Sequence, residues 1–132
     1  MKRNKALFIL VFIISFTQTN AQGLKRKYRG VYQGEIPTYE LHFGDQQITV
    51  APSNISIFLD KDSVYIEVGT YNYASTYSVI NLSDKFEITV SRPNSGIPEL
   101  LVLEKKTREI YRQGLYPQPD ALLKRQGKLP RR

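Results

Sequence analysis

Residues 55–90 read ISIFLDKDSVYIEVGTYNYASTYSVINLSDKFEITV. The period of this stretch is two. Ile55, Ile57 and Leu59 alternate with Ser56 and Phe58, and Val64, Ile66 and Val68 with Tyr65 and Glu67. Phe86, Ile88 and Val90 alternate with Glu87 and Thr89, while Tyr71, Tyr73, Tyr77 and Val79 share one parity in a fourth run. Successive side chains of a strand point to opposite faces, so each run predicts a half-buried β-strand. β-Branched and aromatic residues dominate, as pleated surfaces favour. Asp60-Lys61-Asp62 and Leu82-Ser83-Asp84 are turn-forming links. A parallel crossover needs a dozen residues or more, so links this short pair neighbouring strands antiparallel.

The same period continues outward. Tyr39, Leu41 and Phe43 alternate with Glu40 and His42; Ile48 and Val50 follow the Gly44-Asp45 turn. Leu100–Leu103 is a continuous apolar run, Lys105-Lys106-Thr107 a polar tip, and Ile110 closes the series. The expectation is an all-β, antiparallel up-and-down meander of about eight strands. Closing it into a small barrel removes the unpaired edges; a β-sandwich is the alternative. The inward candidates Tyr39, Phe43, Ile57, Leu59, Ile66, Tyr73, Phe86 and Ile88 are bulky, which predicts a filled interior.

Residues 1–21 read as a signal peptide. Lys2, Arg3 and Lys5 precede an apolar core from Ala6 to Phe16, and Thr19-Asn20-Ala21 stands before a cut ahead of Gln22. The apolar core is too short to span a bilayer, and nothing later in the chain is a transmembrane segment. Export is therefore expected, to the periplasm or cell surface of a bacterium. Residues 22–113 would form the barrel and 114–132 a basic tail. Asp120 is a good helix N-cap and Gly127 a stop, which predicts a short helix over 121–126, docked through Tyr116, Leu122 and Leu123. With no cysteine, the fold rests on its core and its hydrogen bonds.

The formal charge of +7 includes the three cations of residues 1–21; 16 bases and 12 acids remain without them. Between Gly30 and Leu123 there are 7 bases and 12 acids, so the body is acidic and the ends are basic. A nucleic-acid platform would carry its cations on the folded face, which argues against that partner. Lys124, Arg125, Lys128, Arg131 and Arg132 could instead make peripheral contact with an anionic surface.

Tyr28-Arg29-Gly30-Val31-Tyr32-Gln33-Gly34 sets aromatics and glycines alternately on a first strand. This resembles the opening strand of lipocalin-like (calycin) β-barrels, although Trp is absent. The resemblance implies a barrel for ligand binding or interaction and transfers no ligand residues.

Residues for chemistry are sparse. His42 is the sole histidine and sits at polar parity, without a second His or Cys to share a metal. Glu40, Glu67 and Glu87 lie opposite in parity to the apolar set and should face water. No cofactor motif is present. Tyrosine is in excess, with nine. A tyrosine ring supplies contact area at low entropy cost and its hydroxyl supplies direction. Tyr71, Tyr73 and Tyr77 are thus the first candidates for a binding face, and Tyr32 and Tyr39 the second. The expected function is a non-catalytic binding module for a small molecule, glycan or envelope protein. An accessory subunit of a surface complex is the alternative, and a hydrolase a more distant one.

Overall fold

The computed structural model describes residues 23–130. The segment read as a signal peptide, and Arg131 and Arg132, lie outside the described residues. After a 3-10 turn at Arg26–Tyr28 come β1 (Gly30–Ile36), β2 (Tyr39–Phe43), β3 (Gln46–Val50), β4 (Ser53–Leu59) and β5 (Ser63–Val68). Then follow β6 (Tyr71–Asn81), β7 (Lys85–Val90), β8 (Glu99–Glu104), β9 (Glu109–Gln113) and β10 (Ala121–Gly127). Eight of these form a closed antiparallel barrel in the order β1-β10-β9-β8-β7-β6-β5-β4, as the alternation predicts. Among the described residues, no helix is long and apolar enough to cross a membrane.

The inward parities fill the barrel. Tyr32, Ile57, Leu59, Leu103, Ile110 and Leu123 are fully buried, and each such side chain contributes about 1.5–3 kcal/mol by leaving water. One end is closed by the residues before β1. Leu24 and Tyr28 are buried there, and the Tyr28 ring meets Phe86 edge-on at 4.8 Å between centroids. The opposite end, where β1, β5, β7 and β9 finish, is the mouth.

β2 and β3 stand apart as a two-stranded sheet. Ile36 pairs with Ser53 and Tyr39 with Val50, and the residues between, 37–38 and 51–52, belong to neither ladder. Pro37 and Pro52 both fall in this gap. Neither proline has an N–H to donate, so the ladder is interrupted on both strands. Beyond the interruption the hairpin leaves the barrel as a flange at the mouth, its root held by a 2.6 Å bond from Thr38 Oγ1 to the Val50 carbonyl. Phe43 was expected inside; it lies on this flange and is 60% exposed, whereas Tyr39 at the root is half-buried against the core.

The helix expected over 121–126 is a strand. β10 pairs with β9 and with β1 and closes the barrel, so the barrel runs past residue 113. Asp120 does not cap a helix; its carboxylate accepts the Gly114 N–H at 2.8 Å and ties the β9–β10 loop. Of the three expected docking residues only Leu123 enters the core; Leu122 is half-exposed and Tyr116 is 93% exposed. The seam also explains the glycines of β1. A Cβ on Gly34 would stand 2.2 Å from the Leu122 carbonyl oxygen, and one on Gly30 would stand 2.2 Å from that of Gly127.

Candidate functional site

A polar cluster sits inside the mouth. Glu99 opens β8 at the parity of Leu101 and Leu103, and Arg112 lies on β9 at the parity of Ile110, so both point inward. The Arg112 Nε–H donates to Glu99 Oε1. The Tyr73 hydroxyl, from β6, donates to Glu99 Oε2 at 3.1 Å, and Arg92 Nε lies 3.7 Å from the same oxygen. The Glu99 and Arg112 side chains are each 4% exposed and that of Arg92 is 25% exposed. Two guanidinium groups thus share one carboxylate.

The Arg112 Nη1 is buried and has no hydrogen-bond partner among the described residues. A guanidinium carries five donors in a fixed fork, and a buried donor left unpaired costs about 1–3 kcal/mol. The phenol of Tyr73 is held protonated well above the ordinary tyrosine range, by burial first and by the Glu99 carboxylate second. It therefore acts as a fixed donor. Tyr71 stands at the lip, half-exposed, its ring 5.8 Å from that of Tyr73. Inward cations and donors beneath an exposed aromatic ring suit the recognition of an anionic group.

The structure divides the expected tyrosines. Tyr71 and Tyr73 meet at the mouth. Tyr77 shares their parity, but four residues of strand separate it from Tyr73 by about 13 Å. Its one hydroxyl proton is shared between the Lys61 carbonyl, at 2.7 Å, and that of Asp60, bracing the β4–β5 turn. Tyr32 is in the core and its hydroxyl donates to the Tyr28 carbonyl; burial pushes its phenol up to about 12. Tyr39 is at the flange root. Arg125 donates from Nε and Nη2 to the Arg29 carbonyl, at 3.1 and 3.0 Å, and so pins the seam; Lys124 and Lys128 are exposed.

Arg92, Glu99 and Arg112 were not among the expected site residues. The signal for two of them was parity: a glutamate in step with two leucines, and an arginine in step with an isoleucine. The unbroken apolar run Leu100–Leu103 conceals it, because both faces of β8 then read as apolar.

Two of the molecule's concavities lie away from this cluster and differ from it in character. One of about 150 Å³ lies at the closed end, between Leu24, Tyr28, Phe86 and Lys105. The other, about 530 Å³, lies between Phe58, Tyr65, Leu129 and Pro130. Neither presents a buried unpaired donor. No known family model, curated protein or solved structure matches this chain.

Proposed function

We propose that this chain is a small exported binding module of the bacterial envelope. It is non-catalytic and lipocalin-like, and its mouth takes the acidic group of a small molecule or of an acidic sugar. The observation that carries this reading is the unpaired Nη1 of the buried Arg112, beside a second cation and only one carboxylate. A ligand oxyanion supplies the missing acceptor, Arg92 neutralises the added charge, and the Tyr71 ring covers a sugar face.

The test is a thermal-shift and calorimetric titration of the processed protein with glucuronate, galacturonate and short carboxylates, against neutral sugars as controls. A saturable rise in melting temperature is expected with an acid alone. Arg92→Gln leaves the buried pair intact and should weaken binding about tenfold, the loss of one charge-assisted contact. No shift with any acid, and no adduct in native mass spectra of protein purified from an envelope, would overturn the reading. The flange favours a second reading, an accessory subunit of a surface assembly, because it leaves an apolar face outside the barrel.

A further inference from the structure

Among the described residues the flange is a ribbon with two unpaired edges. Tyr39, Leu41 and Phe43 of β2 share a face, opposite Val50, Ile48 and Gln46 of β3. Phe43 is 60% and Ile48 45% exposed, so much of that face is open. A two-stranded ribbon is marginal alone, and three or more strands with an apolar face are needed for independent stability. Unpaired edges are templates for a further strand.

The edge of β2 determines which strand fits. Phe43 and Gln46 flank the two-residue turn Gly44-Asp45 and form its hydrogen-bonded pair. Such pairs alternate along an antiparallel ladder, so Leu41 and Tyr39 also turn their backbone groups toward β3. Glu40 and His42 turn theirs to the free edge. We propose that a second copy of this chain pairs with the flange, β2 against β2, antiparallel and centred on Leu41.

In that register Glu40 faces His42 of the second copy, twice. Each pair exchanges two backbone hydrogen bonds, and on the polar face an imidazole N–H donor meets a carboxylate. Leu41 meets Leu41 across the two-fold axis, and Tyr39 meets Phe43. The axis is perpendicular to the sheet, so all six of these apolar side chains share one face of a four-stranded sheet. The tip of each ribbon returns to the root of the other, at the end of the barrel where Ile97, Leu115 and Tyr116 are exposed. The β3 edge has no such symmetry of charge: centred on Ile48, it would set Gln47 against Thr49. This inference does not rest on the mouth's binding an acid.

The test uses the chain as an exporting host processes it. Sedimentation across a dilution series should give twice the monomer mass at the concentrated end. Leu41→Lys brings two ammonium groups together on the axis and should give monomer with the barrel's melting temperature kept. Glu40→Lys should also weaken the dimer, and the exchange Glu40→His with His42→Glu should restore it, which a merely local role of either residue would not do. The chain has no cysteine, so Leu41→Cys introduces a single thiol. It should form an intermolecular disulfide rapidly, while Ile48→Cys should not. Monomer at every concentration, or equal crosslinking at both positions, would overturn the proposal.

Discussion

Tyr32 and Tyr73 tie the barrel's stability to alkali. Burial disfavours the phenolate of each, so the folded state holds these protons above the pH at which the unfolded chain releases them. A raised folded value means the stability is complete below the ordinary tyrosine pKa of about 10. It falls as pH rises from there through the value of about 12 at Tyr32. Urea midpoints measured across this range should be flat below it and drop within it, and Tyr32→Phe should reduce the drop. At this scale a strand's parity tells which way a side chain points and not what it meets there. Tyr73 was legible as a candidate from its surroundings, but its partners were not. Glu99 and Arg112 are charges at apolar positions, and their mutual contact, with Tyr73 and Arg92 also on Glu99, makes that burial tolerable.

At the scale of the element, β10 bears the greatest consequence. Ala121, Leu123 and Arg125 face in and Leu122, Lys124 and Gln126 face out. Removing this strand leaves β1 and β9 as open edges and exposes the inward faces beside them. A chain ending at Gly114 should therefore show no cooperative thermal transition by circular dichroism, rather than a slightly lowered one. Alanine, leucine, lysine and glutamine are good helix formers, and local propensity argued for a helix here. The pairing that overrode it lies about ninety residues away in β1, where Gly34 meets Leu123. No local signal carries that contact.

At the scale of the whole molecule, the barrel and the flange are separable. The pairing of Ile36 with Ser53 predicts that replacing residues 37–52 with Asn-Gly joins the two as they already stand. The shortened chain should fold with a melting temperature close to the parent's, and it should be monomeric. The sequence by itself determined the strands from β4 to β9 and their antiparallel order. Side-chain period and link length are local properties, and they leave few other pairings. The tertiary structure decided three things: that β10 is a strand, that the β2–β3 hairpin leaves the barrel, and that Glu99, Arg112 and Tyr73 meet. Each depends on what stands nearby in space, a strand edge, a second proline or a counter-charge, and period-two alternation holds no information about that.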